Sequence, residues 1–352
     1  MLKDLRKILL PDAGIAITAC RQQKRGNMKK EKEEKKTEKK NGKKKNAEMR
    51  NPEKKKSYGL LLAGALLLVT GIILAVITYH TSYRASVATG DTIKELKAQI
   101  SAVADGKAQG DPDALNAEAD ALSDKKLSQE RPYSYSLTLV FFAILLTGRG
   151  IYNAVFGVNK SNKPNVRQLA MAGLLAALCY IGFAVFKIDI PVGPEKTAIH
   201  FGNVFCVLAA LLLGGYWGGL AGAVGMTIGD LTTPYVTSAP KTFLLKLCIG
   251  LIVGLVAHKL LKLSRDHSAK YVTGATIAAS VCGMAFNIVA DPLVGYFYKS
   301  YLLGVPQDIA SALAKMAAVT TGVNAVVAVI ASTTFYLALR PALRKAGLFP
   351  DV

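Results

Sequence analysis

The chain has 352 residues, 51% of them hydrophobic, and a formal charge of +20. Both properties are unevenly spread: uncharged runs cover 168–186, 201–229, 271–290 and 316–339, whereas residues 1–57 hold 20 Lys/Arg against 8 Asp/Glu. Runs near or beyond the ~20 residues a helix needs to cross the hydrocarbon exclude an ordinary soluble protein, and lysines with no interleaved aromatic residues argue against nucleic acid as a partner.

In chain order, the tail 1–57 comes first. Its block Lys29–Lys45 has almost no apolar surface to bury, so it is expected to be disordered. Next to a membrane span it reads as a cytoplasmic tail under the positive-inside rule, with attraction to anionic lipid. Ile17-Thr18-Ala19-Cys20 superficially resembles a lipoprotein cleavage box, but Pro11 and Asp12 interrupt the preceding apolar stretch; an alternative is that translation starts at Met28. Cys179, Cys206, Cys248 and Cys282 lie in apolar runs, where a thiol behaves as a small hydrophobe, and neither a disulfide nor a metal site is expected.

Residues 58–158 predict two transmembrane helices. The first, Tyr58–Tyr83, is uncharged apart from His80 and follows Lys54-Lys55-Lys56, so its start is expected in the cytoplasm. The loop 84–131 carries 9 acidic and 7 basic side chains. Ile93, Leu96, Ile100 and Val103 recur there at helical spacing, a break follows at Gly106–Pro112, and a second helix runs through Leu115, Leu122 and Leu127. This extracytoplasmic pair reads as a solvated spacer or as a docking site for a partner. Pro132–Val158 is the second span, with Arg149 near its inner end.

Residues 159–352 open on a polar connector, Asn159–Arg167, and continue as six spans at about 168–186, 197–213, 216–233, 240–262, 271–297 and 311–339. The fold class is therefore an all-α integral membrane protein: a six-helix bundle preceded by a two-helix transmembrane hairpin and a disordered basic tail. Eight spans put both termini in the cytoplasm. The inner loop with Lys262, Arg265 and Lys270, and the end of the chain with Arg340, Arg344 and Lys345, agree. The loops 187–196, 234–239 and 298–310 fall outside.

Ionisable side chains at membrane depth are costly unless paired or hydrated, which singles out Asp230, Lys246 and Asp291. Asp230 and Lys246 read either as an ion pair between neighbouring spans or as ligand contacts. Asp291 precedes Pro292, where a cap or helix break is the competing reading. His200 and Asn203 supply donors and acceptors suited to a heteroaromatic ring. Lys187, Lys196, Thr197, Tyr235, Lys241, Asn287, Tyr296, Lys315, Thr321 and Asn324 lie near the same level and complete the candidate ligand set. Tyr235 or Tyr296 would serve as an aromatic lid, although Tyr also favours interfaces for its amphipathic character. Ala172 and Ala176, with Gly173 and Ala177 in register, make a small-residue face on which a helix can approach closely. Gly214, Gly218 and Gly222 form a second ladder, read as packing.

Several segments together carry a resemblance: Arg167-Gln168-Leu169-Ala170-Met171-Ala172 with Leu174–Ile181, Ile190-Pro191-Val192-Gly193, Ile199-His200-Phe201-Gly202-Asn203, Leu213-Gly214-Gly215, Gly229-Asp230-Leu231, Pro240-Lys241-Thr242-Phe243, Asn324-Ala325-Val326-Val327 and Leu339-Arg340-Pro341-Ala342-Leu343. In order and spacing, residues 167–350 resemble the S components of energy-coupling-factor (ECF) transporters, riboflavin-type branch, which also includes relatives assigned to pyrimidine and pyridoxine precursors. The first 157 residues match nothing in that family. The resemblance implies a plasma-membrane subunit that binds a vitamin or precursor from outside and depends on a transmembrane coupling subunit and two ATPases, with the Ala172/Ala176 face as the docking surface. No Gly-x-x-x-x-Gly-Lys-Ser/Thr loop occurs in the sequence, so ATP hydrolysis falls to another chain. A stand-alone carrier or channel is the rival reading. A membrane-embedded enzyme is the lesser one, since no His-Glu-x-x-His, Asp-rich box or Gly-x-Ser-x-Gly is present. No catalytic residue and no cofactor is expected.

Overall fold

The computed structural model describes residues 58–156 and 166–346, with Lys36. The rest of the tail 1–57, including Cys20 and Met28, residues 157–165, which hold the end of the expected second span and most of the connector, and the final residues 347–352 lie outside the described residues. The chain divides into two compact units: Met1–Gly64 with Leu146–Asn159, and Ala65–Leu145 with Lys160–Val352. Seven helices among the described residues are long and apolar enough to cross a membrane, and the chain is an all-α, multi-pass membrane protein.

Helix α1 covers Tyr58–Ala104, with a π turn at Tyr79–Tyr83, and α2 covers Pro112–Phe156. The expected break separates them: Gly106 takes φ 72°, and the Asp111 side chain accepts the Asp113 N–H at 3.0 Å beside Pro112 at the first helical position. Pro132, expected to start a span, lies inside the continuous α2. In the first unit a Cβ on Gly64 would meet Thr147 and one on Gly150 would meet the Leu61 backbone. In the second unit Gly71 lies equally close to Val140. Small residues give these helices the approach that lipid-immersed packing requires.

The bundle follows, with α3 at Val166–Ala184. Where sequence periodicity suggested a bare loop and the start of a span, β1 (Lys187–Val192) and β2 (Glu195–His200) form an antiparallel hairpin with Val192 opposite Glu195. Gly193 at φ 60° makes the two-residue turn possible.

Helix α4 (Gly202–Thr232) is a single element only nominally, because Gly214 at φ 78°, ψ 174° reverses the chain. The two legs lie against each other: a Cβ on Gly218 would fall 2.3 Å from the Ala210 Cα, and one on Gly222 would fall 2.3 Å from the Cys206 Sγ. The spans expected at 197–213 and 216–233 are thus these two legs. Next come a 3₁₀ turn at Val236–Ser238 and α5 (Ala239–Gly254), which passes into a π segment at Leu255–Leu260. Helix α6 (Ala269–Phe297) runs straight through Pro292, so Asp291 marks no helix end, and it continues as a π turn, Tyr298–Leu302. Helix α7 (Gln307–Lys345) closes the bundle.

Both legs of α4 supply the core, with Val204, Val207, Leu211 and Met226 against Ile249, Val253, Ala279, Met284 and Tyr336. At the end of the bundle where α7 finishes, Arg340 donates to the carbonyls of Leu263 (3.2 Å) and Arg265 (3.1 Å). Arg344 donates to the Ser264 carbonyl at 2.7 Å and pairs with Asp266.

One of the tightest crossings gives a direct test of this packing. A Cβ on Gly250 would lie 2.1 Å from the Gly219 Cα, so Gly250→Leu is expected to destabilise the bundle by at least about 1–3 kcal/mol, read as a lower unfolding midpoint in detergent.

Candidate functional site

At the opposite end of the bundle from the Arg340 and Arg344 contacts, a cavity of about 170 Å³ opens between β2, both ends of the α4–α5 connection, α6 and α7. A cavity of ~150 Å³ already admits a benzene ring. Of the residues singled out in the sequence, Lys196, Thr197, His200, Asn203, Asp230, Tyr235, Lys241, Lys246, Asn287, Asp291, Thr321 and Asn324 line it.

The floor is built by clamping β2 onto α7. Asn324 accepts the His200 backbone N–H at 2.9 Å and donates to the Ala198 carbonyl at 3.1 Å, while the Thr197 and Thr320 hydroxyls meet at 3.0 Å. Asn324 is 4% exposed, so both halves of its amide need partners, and β2 supplies them. The His200 ring stands edge-on to Phe183 at 4.8 Å.

The charged groups do not pair as the sequence suggested. Lys241 bonds Asp291 at 2.8 Å, and Asp291 also accepts from Thr321 at 3.0 Å. Asp230 lines the same cavity beside Thr242, and its Oδ2 has no partner. Among the described residues no carboxylate lies within ion-pair distance of the buried Lys246 amine. Enclosed without partners in the same cavity are His200 Nδ1, Asn203 Oδ1 and Asn287 Oδ1. Desolvated polar atoms of this kind each cost about 1–3 kcal/mol until something satisfies them.

Three expected ligand residues stand outside the cavity lining. Lys187 instead pairs with Asp189 at 2.9 Å, its ammonium 5.0 Å from the centre of the Tyr235 ring; Tyr235 in turn donates to Asp189 at 2.8 Å. Tyr296 lies edge-on to Phe297. Lys315 is exposed, because the lining face of α7 runs through Leu313, Ala317, Thr320, Thr321 and Asn324, and position 315 falls on the other side. The small-residue face of α3 also divides. Ala172 is buried and Ala176 packs against the core, with the Ala176 carbonyl 2.1 Å from where a Gly225 Cβ would be, whereas Gly173 and Ala177 are exposed.

The sequence reading missed an entire wall. Lys97, Ser123, Asp124, Lys126, Leu127 and Glu130, from the pair of helices read as a spacer or a partner site, line the cavity too. Lys126 bonds Glu130 at 2.7 Å and Glu195 at 2.6 Å, and the second oxygen of Glu195 bonds Lys299 at 2.7 Å. Burial alone would raise the Glu195 carboxyl, but the charges of Lys299 and then Lys126 outweigh it and hold it well below the usual carboxylate range. Lys299 had a legible signal, since Asn287, Asp291, Gly295 and Lys299 recur every four residues along α6 and the π turn that continues it and all line the cavity. Lys126 and Glu130 carried only a generic i,i+4 pairing.

Residues 163–341, just over half of the chain, match the model of a family described as ECF-type riboflavin transporter, S component. No curated protein and no solved structure matches the chain.

The imidazole at the floor gives a pH prediction. Burial, reinforced by the charge of Lys246 and opposed by Asp291, lowers the His200 pKa to about 3. An unfolded chain takes up this proton near ~6.5 and the folded chain does not, so the contribution of His200 to stability is complete above ~6.5 and is lost as pH falls from there toward 3. Replacing His200 by Asn should flatten that part of the acid dependence, measured as unfolding midpoints of both forms between about pH 4.5 and 7.5.

Proposed function

The chain belongs to the S components of ECF-type riboflavin transporters, and from that premise we propose that it is the substrate-binding subunit of an importer, capturing a planar vitamin or vitamin precursor in the cavity floored by His200, Asn203, Asn287 and Asn324. The observation that carries this reading is the set of enclosed polar atoms without partners, His200 Nδ1, Asn203 Oδ1, Asn287 Oδ1 and Asp230 Oδ2, gathered in one cavity with Lys246. A ligand that presents several N–H or O–H donors and one acceptor or anionic group satisfies them together. Phe183 and Tyr235, whose ring centres lie 5.7 Å apart, give such a ligand aromatic surface.

The cavity end faces outward and the opposite end the cytoplasm, in keeping with Lys262, Arg265, Arg340 and Arg344 at the latter. Both termini are cytoplasmic, and the tail 1–57 lies on that side. Energy is supplied by partners, a coupling subunit and two ATPases. The coupling subunit docks on α3 through its outward small residues, Gly173 and Ala177, where a Cβ on Gly173 would meet nothing within 4 Å.

Two measurements check this reading. Calorimetry on the isolated chain without ATP should register binding of riboflavin or of another planar vitamin such as pyridoxine or hydroxymethylpyrimidine. Asn287→Leu should weaken that binding by about tenfold or more, roughly one lost hydrogen bond in a desolvated site; no heat from any such ligand, or an unchanged affinity, would refute the assignment.

The docking face is separable by its two halves. Gly173→Leu with Ala177→Leu should abolish capture of the coupling subunit and uptake while leaving ligand affinity intact. Ala172→Leu with Ala176→Leu, which overpacks the α3–α4 contact, should lower stability by about 1–3 kcal/mol and weaken ligand binding as well. A Gly173/Ala177 variant that still captures the partner would return α3 to ordinary packing.

A further inference from the structure

The helical pair at 84–131 lies outside the stretch that matches the family, 163–341, yet apart from an exposed ion pair between Lys94 and Asp308 its polar contacts with the bundle gather around the site. Lys97 donates to the Gly193 carbonyl in the β turn at 2.8 Å. Gly90 faces Pro194 of the same turn. Lys126 reaches Glu195, the first residue of β2, and Glu195 reaches Lys299 on the π turn after α6. The Tyr83 hydroxyl donates to the Leu303 carbonyl at 2.7 Å, and the Tyr83 and Tyr133 rings pack 4.5 Å apart beneath the pair. Between these contacts Ser123, Asp124 and Leu127 face the cavity opposite its floor.

We propose that the 84–131 helices are a cover built into this chain, forming the wall of the ligand cavity opposite His200 and Asn324 and requiring displacement from the β turn before a solute passes. The proposal rests on the reading of this cavity as the ligand site, but its physical basis is separate. Glu195 with Lys126, Lys299 and Glu130 makes a group of two cations and two carboxylates whose side chains are only 10–15% exposed. Such a group holds its elements in one arrangement, because removing one member leaves a desolvated charge. It is also separable without chemical damage, since every member becomes solvated when the interface opens. A spacer needs no such contact, and a partner-docking surface would leave the charged face free.

The β turn offers a lock. A Cβ on Gly90 would lie 3.8 Å from the Cβ of Pro194, inside the ~3.5–4.5 Å that a disulfide requires. The full-length Gly90→Cys/Pro194→Cys variant, also carrying Ala314→Cys on the cavity wall, is placed in lipid nanodiscs and compared oxidised and reduced. Two rates are read: modification at position 314 by a water-soluble maleimide, followed by peptide mass spectrometry, and release of bound riboflavin, followed by its fluorescence. Oxidation should slow modification by about tenfold or more, and riboflavin release by a similar factor. Equal modification rates in the two states would overturn the cover. Modification slowed by oxidation in a protein that binds no riboflavin in either state would keep the cover and remove riboflavin as the ligand. The Gly90→Cys variant without its partner cysteine, treated with the same oxidant, should behave as the reduced form; slowing there would assign the effect to position 90 itself and overturn the proposal.

Discussion

Helices immersed in lipid gain little by hiding apolar side chains from one another, so the arrangement depends on how closely their backbones approach. Here that constraint is met along the two legs of α4, which occupy the centre of the bundle. Gly218 and Gly222 close the legs on each other, Gly225 admits α3, and Gly219 and Gly215 admit α5 through Gly250 and Gly254. The reversal at Gly214 makes this possible, because a backbone at φ 78° is one that a side chain rarely tolerates. With the centre of the bundle filled by backbone contact, a ligand cavity has room only toward one end. The polar residues of β2, α6 and α7 meet there.

The parts that were legible in the sequence are those with a local signature. Long uncharged runs announced the helices, and polar residues interrupting them, His200, Asn203, Asn287, Thr321 and Asn324, announced the cavity. The family resemblance located residues 167–350, close to the 163–341 that match. What failed was pairing and facing. Asp230 and Lys246 are residues of opposite charge on neighbouring elements, but of their two readings the ion pair does not form, and Asp291 takes Lys241. Lys315 and Tyr296 have suitable chemistry on the wrong side of their helices, a matter of one or two residues in a 3.6-residue turn. The β-hairpin was too short to stand out from a loop.

The cover wall was hidden for a different reason. A helix with many charges of both signs has the composition of a solvated one, and nothing in residues 84–131 says that Lys126 will meet a carboxylate 69 positions away. Charge content reports how a segment is solvated on average. It does not report which few charges have exchanged water for each other.

The two anchorages of α7 have a mechanical consequence. This 39-residue helix, about 58 Å from end to end at 1.5 Å per residue, holds the β2 floor through Asn324 near its middle and grips the backbone of 263–265 through Arg340 and Arg344 at its far end. A force applied at the arginine end is therefore transmitted along a stiff strut directly to the backbone of Ala198 and His200. Bending the bundle between these points would break hydrogen bonds at one anchorage or the other, whereas tilting it as a single body breaks none. The strut carries the floor wherever the arginine end goes, with the distances between floor residues unchanged.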